Sequence, residues 1–413
     1  MMGSIEDRWW RTVTKPDGGT ERIKKPRFGV GHRYRVRYEG PDGEPLSKSF
    51  PDRQKRAAEQ FLISVESDKQ RGEFIDPNAG KKRFDEFAES WLRTHQFDES
   101  SRESTEIRVR KHIIPFFRGR AVNTIRPSDV REWDSSLVGV LAVATRSVCF
   151  SHLSAIFTAA VDDRLIAKNP CSAKSVTQPQ PIPRKVVPWT PPTVAAIRAA
   201  LLPRYRCTVD LGGGCGARQG EIFGVAPEDF NFDGGWLTIR RQVKRVRSRL
   251  VFGLPKNDKE RQTLLPASVA REIKAHIAEF EPVPVTLPWE DPMRGEPVTV
   301  NLVFTTGRRG ALNRTTFNKL SWHPAITAAG LERTRANGMH ALRHLFASTL
   351  LDAGENIRAI SEWLGHSDPA FTLRVYTHLM QSSQGRARTA LDHMIGLLMA
   401  PPWPQGQNDQ QNA

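Results

Sequence analysis

The chain has 413 residues, with 61 Lys and Arg against 45 Asp and Glu for a formal net charge of +16, and about 150 residues per domain suggests roughly three domains. A pI near 10.0 favours a polyanionic partner, nucleic acid first and an anionic membrane surface second; no segment approaches the ~18 apolar residues of a spanning helix, and mean hydropathy is −0.48. Cys149, Cys171, Cys207 and Cys215 form no CxxC pair, which argues against a zinc site and a disulfide framework.

The start, MMGSIEDRWW, lacks the basic and apolar regions of a secretory signal, so a cytoplasmic protein, nucleoid-associated when bound, is expected. In HRYRVRYEGPDGEPLSKSF, Tyr34, Val36 and Tyr38 alternate with Arg33, Arg35 and Arg37 ahead of a Pro-Asp-Gly turn. That pattern predicts a hairpin with one basic face. Ala57, Ala58, Phe61, Leu62 and Val65 follow at helical spacing, so a helix can cover the apolar face and complete a small module over 1–80. Arg33, Arg35 and Arg37 are candidate DNA contacts, since strands fit the major groove; solvated strand arginines give the same pattern.

An all-α region is predicted over 81–171, starting at Phe84 with DEFAESWLRTH. Its last helix carries the stripe Cys149, Leu153, Ile156, Phe157 and Ala160, and Asn169-Pro170 closes it. Arg108 and Lys111, with Arg110, Arg118 and Arg120 nearby, are candidate phosphate contacts, against the plainer reading of a solvated helix face. SAKSVTQPQPIPRKVVPWTPP, within 172–192, reads as an extended Pro-rich linker about which the flanking domains can move. Residues 193–398 mix helices with a strand-rich patch, GGWLTIRRQVKRVRSRLVFGLPKNDKERQTLLP, and the tail over 399–413 reads as disordered. The fold class expected is multidomain, mainly α with small β-sheets: a sheet-plus-helix module, an all-α domain and a mixed α+β domain.

Four signals in the last region carry chemistry: GCGARQGEIFGV with Arg218, GLPKNDKERQTLLP with Lys256, MHALRHLFAS with His340 and Arg343, and EWLGHSDPAFTLRVYTH with His366 and Tyr376. Singly each is weak; HxxR on a helix is more often two residues sharing a face. Together, in order and spacing, they resemble the tyrosine recombinase family of phage integrases and Xer-type recombinases. From that resemblance Arg218 and Arg343 are the phosphate-clamping arginines, Lys256 the hairpin lysine, His340 and His366 the active-site histidines and Tyr376 the nucleophile. Glu221 matches the acidic residue that follows the first arginine.

Elementary chemistry agrees with those roles. Two guanidinium forks suit the charge that builds on non-bridging phosphate oxygens. A phenol with a reference pKa near 10 needs a base, for which His340 is the candidate. The leaving 5′ oxygen needs a proton, which Lys256 can supply, with Lys259 the rival in the same turn. His366, after Gly365, is placed as a hydrogen-bond donor, and its plainer reading is a polar helix cap.

The resemblance implies cleavage and rejoining of double-stranded DNA through a 3′-phosphotyrosyl intermediate and a Holliday junction, by a homotetramer, with no cofactor and no metal. It also implies a core-binding domain over 81–171 and an arm-binding module over 1–80, an arrangement that favours the integrase of a phage or integrative element. An excision factor and a host DNA-bending protein are candidate accessory partners. RTALDHMIGLLM, with Leu391, Met394, Leu397 and Leu398 as an apolar stripe, is the candidate segment for exchange between subunits. Departures from the family pattern are Ala217 where leucine is common and a long stretch between Lys256 and His340, whose excess, including EPVPVTLPWEDPMRGEPVTV, reads as a surface insertion. The rival readings are a Xer-type resolvase, a type IB topoisomerase-like enzyme and a non-catalytic DNA-binding regulator on the same fold.

Overall fold

The computed structural model of the chain describes residues 3–16, 18–40, 43–70, 74, 79–97, 99–182, 187–255, 259–366, 369–376, 388–389 and 391–396. It divides into two compact units, Met1–Ile182 and Pro183–Ala413.

The first unit opens with strands β1 (Ser4–Asp7), β2 (Trp10–Thr14), β3 (Thr20–Lys24), β4 (Tyr34–Glu39) and β5 (Pro45–Phe50). β4 is central, antiparallel to β1 on one side and β5 on the other, with Ser4 opposite Arg37 and Tyr34 opposite Phe50. Strand alternation sends Tyr34, Val36 and Tyr38 to one face, where they pack with Phe50 and with Ala58 and Val65 of helix α1 (Lys55–Gln70). β1 and the separate β2–β3 hairpin were not anticipated. The hairpin is almost wholly solvent-facing, so no buried side announces it as an alternating pattern.

Helices α2 (Phe84–Thr94), α3 (Glu99–Arg108), α4 (Ile114–Phe117), α5 (Pro127–Ser136) and α6 (Val143–Asp162) follow, with a π-helical turn at Val109–Ile113 joining α3 to α4. The α6 stripe Cys149, Leu153, Ile156, Phe157 and Ala160 is completely buried against Phe84, Phe117 and Trp133. Asn169 holds the closing turn Pro170–Ser172: its Oδ1 accepts from Cys171 N at 2.8 Å and its Nδ2 donates to Ser154 O at 2.9 Å. The Pro-rich run that follows is pinned at its start, because Gln178 Nε2 donates to Ser147 O and Ser151 Oγ on α6.

In the second unit α7 (Pro191–Ala200), capped by Thr190, precedes α8 (Pro203–Gly214) and the single turn α9 (Gln219–Ile222). Strands β6 (Phe230–Asn231), β7 (Trp236–Ile239), β8 (Gln242–Val246), β9 (Arg249–Gly253) and β10 (Arg261–Leu264) form an antiparallel β10-β7-β6 sheet and a β8–β9 hairpin. After α10 (Ala267–Glu279), the stretch expected as a surface insertion is a hairpin of β11 (Val283–Pro288) and β12 (Pro297–Leu302). It is no surface appendage: Val283, Val285, Val300 and Leu302 are buried in the unit's main core.

The chain continues through α11 (Arg314–Phe317), α12 (His323–Ala328), α13 (His340–Ala353), α14 (Ile357–Leu364) and α15 (Pro369–Tyr376). α8 lies tightly on α13; a Cβ on Gly212 would stand 2.8 Å from Leu342 Cδ1. Leu391 and Met394 are exposed on the helical residues 391–396, whereas Leu397, Leu398 and the tail 399–413 lie outside the described residues. Among the described residues no helix is long and apolar enough to cross a membrane.

Candidate active site

Glu221 is the hub of the site, and the turn that carries it explains why. α9 begins at Arg218, whose backbone N–H donates to Glu221 Oε2 at 2.8 Å, so the carboxylate caps its own helix. Oε1 also accepts from Arg218 Nη1 at 2.9 Å. Arg261, the first residue of β10, closes on both oxygens from the other side, Nη1 to Oε1 at 2.8 Å and Nη2 to Oε2 at 2.7 Å. The fully buried carboxylate therefore accepts four hydrogen bonds, its whole capacity. Burial works to raise its pKa, but the bond and charge of Arg261, then the charges of Arg218 and Arg343, win and hold it near 2.

Arg343, one turn into α13, is 1% exposed. Its Nη1 donates to Gly216 O at 2.7 Å and its Nη2 to Leu364 O. Burial, then the nearby Arg218 and Arg261, push against its charge, which Glu221 partly offsets. Because a guanidinium keeps its proton in proteins, three arginines around one buried carboxylate leave a net charge of about +2 in a largely buried cluster. That is an environment built for an anion.

α14 ends at Gly365 in the left-handed conformation (φ 64°), with His366 N donating back to Ser361 O at 2.9 Å. Glycine is required twice over, since a Cβ there would also stand 2.7 Å from Arg261 Cδ. Arg218 Nη2 reaches Gly365 O at 3.3 Å and Arg261 Nε reaches Trp363 O at 2.9 Å. The turn carrying His366 is thereby tied to the arginine cluster. His366 Nδ1 lies 2.7 Å from Thr372 Oγ1, which accepts from Ser361 Oγ at 2.8 Å. Ser361 Oγ also donates to Ile357 O at 2.8 Å, so a chain of hydroxyls ties the His366 ring to α14. Burial first, then Arg343 and Arg218, lower the His366 pKa to about 3.

Tyr376 ends α15 and is 2% exposed, packed with Phe346, Ala347, Leu351, Ile360 and Leu364. Its hydroxyl lies 2.6 Å from Nδ1 of His344. Burial raises the phenol to about 12 against the opposing pull of Arg343, and burial followed by Arg343 lowers His344 to about 4. His340, one helical turn earlier, meets His344 edge to face with ring centroids 4.7 Å apart. It is solvent-exposed, yet the crowding of the site, then His344, Arg343 and Arg218, still depress its pKa.

Arg218, His340, Arg343, His366 and Tyr376 thus converge around the Glu221 cluster, while Lys256 lies outside the described residues and Lys259 is exposed. Three members were not singled out from sequence. His344 could have been found, because it stands four residues from His340 on the same helix face. Arg261 and Thr372 had no local signal: their partners are 40 and 6 residues away, across a strand and a helix. Among the described residues no group of His, Cys, Asp and Glu could hold a metal ion.

The arginines singled out in the first unit have different surroundings. Arg33 is largely enclosed and paired with Asp7 and Asp52, both at 2.9 Å. Arg35 donates to Ser47 Oγ and Arg37 pairs with Glu6 at 2.8 Å, and both line a cleft with Arg8, Lys25 and Arg27. Arg108 donates to Ser104 Oγ at 3.0 Å, and Lys111 is exposed.

Residues 193–383 match the phage integrase family, and residues 83–138 match the phage integrase N-terminal SAM-like domain. The integrase of Mycobacterium phage L5 is 26% identical over 293 residues, 70% of this chain and 74% of that protein. The tyrosine recombinase XerC-like protein of Caldanaerobacter subterraneus is 26% identical over 265 residues, 59% of this chain and 65% of that protein. In fold, the chain is similar to the Tn1549 transposon integrase in complex with transposon right end DNA, with a TM-score of 0.60 at 18% identity over 75% of this chain and 99% of that one. It is also similar to a lambda integrase tetramer bound to a Holliday junction, with a TM-score of 0.55 at 14% identity over 84% of this chain and 92% of that one.

Proposed function

Because this chain belongs to the phage integrase family of tyrosine recombinases, enzymes that cleave and rejoin DNA, we propose that Tyr376 is its nucleophile and that His344, rather than His340, takes the tyrosine proton. One observation carries this reading: the buried Tyr376 hydroxyl lies 2.6 Å from Nδ1 of His344, beside three arginines gathered on one carboxylate.

In the proposed reaction Tyr376 Oη attacks the phosphorus, its proton passing to His344 Nδ1. The bond to phosphorus forms as the bond to the 5′ oxygen breaks, and that oxygen takes a proton from Lys256. Arg218 and Arg343 stabilise the charge on the non-bridging oxygens, with His366 as a further hydrogen-bond donor. Arg261 and Glu221 touch no reacting atom; they fix Arg218 and the His366 turn. A side chain only 2% exposed cannot meet a phosphodiester, so α15 must shift when DNA is engaged.

We assign 1–80 to an arm-type DNA-binding module, 81–171 to a core-binding domain, 172–192 to a linker and 193–398 to the catalytic domain. Separate buried cores under β4 and α6 support the first two. The proposed assembly is a homotetramer on two DNA duplexes, in line with the lambda integrase tetramer on its Holliday junction.

The test is covalent trapping. The protein is incubated with a nicked suicide duplex carrying the attachment core recovered from the ends of its own element, with and without EDTA. The expected result is a chelator-resistant protein–DNA adduct that is absent from Tyr376→Phe. An adduct that persists in Tyr376→Phe would overturn the nucleophile.

A further inference from the structure

We propose that Glu290, at the tip of the β11–β12 hairpin, is a positioning residue for the catalytic turn that follows β9, and that the inserted hairpin exists to hold that turn in register. The inference rests on the reading of Lys256 as the general acid, and its own residues are all described.

The last described residues before Lys256 are Leu254 and Pro255, and Leu254 is gripped on both sides. Its N–H donates to Glu290 Oε1 at 3.0 Å, and its C=O accepts from Gln242 Nε2 at 2.7 Å. The other carboxylate oxygen, Oε2, lies 3.4 Å from Lys244 Nζ on β8. Backbone pairing backs up the side chain: Glu290 N donates to Phe252 O at 2.7 Å, and Phe252 forms a parallel bridge with Trp289.

Two local features belong to the same device. Gly253 faces Lys244 and Glu290 across the hairpin, and a Cβ there would lie 2.7 Å from Glu290 Oε1 and 2.8 Å from Lys244 Cε. The strand thus leaves out a side chain where the ion pair sits. Glu290 itself has φ 61°, a left-handed conformation that an L residue keeps only when its surroundings hold it there. Its loop is fixed by Asp291, whose Oδ1 accepts from Met293 N at 2.7 Å.

The grip is referenced to the arginine cluster. Gly220, in the turn between Arg218 and Glu221, sits so close to β8 that a Cβ would be 2.9 Å from Val243 O and 3.3 Å from Gln242 Oε1. Arg218, β8, Leu254 and Glu290 therefore form one contiguous stack. A general acid must lie within hydrogen-bond reach of the leaving oxygen, and an error near 1 Å costs about 10²-fold in rate. Lys256 follows the gripped Leu254 peptide by two residues in the chain.

The test changes the leaving group. A suicide duplex with a 5′-bridging sulfur at the scissile phosphate loses a thiolate, which needs no proton to depart, whereas the oxygen-linked duplex loses an alkoxide that does. Tyr376 is the nucleophile in both. Glu290→Gly removes the carboxylate while suiting the left-handed backbone, and its melting temperature reports folding. On the oxygen duplex Glu290→Gly should cleave at least about tenfold more slowly than wild type, and on the sulfur duplex at close to the wild-type rate. Equal slowing on both duplexes, or on neither, overturns the positioning role. Lys256→Ala identifies which statement fails: if sulfur rescues Lys256→Ala but not Glu290→Gly, the inference alone falls. If sulfur rescues neither, the lysine assignment falls with it.

Discussion

The hydroxyl of Tyr376 and Nδ1 of His344 stand 2.6 Å apart, and with the phenol raised to about 12 and the imidazole lowered to about 4, both are neutral near pH 7. With the His344 ring proton on Nε2, as the proposed mechanism requires, the phenol donates and Nδ1 accepts. The pair adds a polar link to the apolar packing between α13, which also carries Arg343, and the tyrosine at the end of α15.

Replacing His344 with phenylalanine keeps the ring that packs on Tyr376 and removes the acceptor. Adduct formation is expected to slow about 10²-fold, in the range of a lost general base, with binding of the core duplex unchanged. Single-turnover trapping of His344→Phe beside His340→Ala measures this. A larger loss at His340 would return the base role to that residue.

Acid should destabilise the fold before it disturbs the carboxylate hub. His344 and His366 are held to about 4 and about 3, whereas in the unfolded chain they take up protons below about 6.5. Their depressed pKa values give stability that is present above pH ~6.5 and is lost as pH falls towards their folded values, by roughly 1 kcal/mol per histidine per pH unit. Glu221, held near 2, follows the same sign at lower pH, losing its contribution below about 4.3. Denaturant midpoints that fail to drop between pH 7 and 5 would contradict this ordering.

Thr372 bridges Ser361 and His366, so Thr372→Val removes the hydroxyl that joins them, while Ser361 Oγ keeps its bond to Ile357 O. The expected cost is about 1–3 kcal/mol in stability. Cleavage should slow roughly tenfold, the rate equivalent of about 1.4 kcal/mol at the transition state. Thr372→Ser, which keeps the hydroxyl, should cleave and melt like wild type.

In the first unit, Arg33 and Lys111 should separate stability from DNA affinity. Arg33 joins Asp7 to Asp52 and is 15% exposed, so Arg33→Ala should lower the melting temperature of the sheet module. Lys111→Ala should leave melting unchanged, weaken DNA binding across sequences and reduce the slope of log affinity against log salt by about one. Thermal melts and a salt series of binding isotherms distinguish the two.

Much of this was legible in the chain itself. Period-two alternation at Tyr34, Val36 and Tyr38 and the helical stripe from Cys149 to Ala160 specified β4 and α6, because a buried face imposes its own spacing on local sequence. Arg218, His340, Arg343, His366 and Tyr376 were singled out for a different reason: their segments, weak one by one, together resemble those of the tyrosine recombinase family. What only the tertiary structure decided was partner choice. The sequence places His340 and His344 on one helix face without saying which one meets Tyr376. It gives no sign that Arg261 completes the bonds of Glu221, or that Glu290 reaches Leu254 across 36 residues. Periodicity records which side of an element is buried, while the contact made there depends on how distant segments pack. That is why the candidate residues could be picked out from their combined pattern, and the network around them could not.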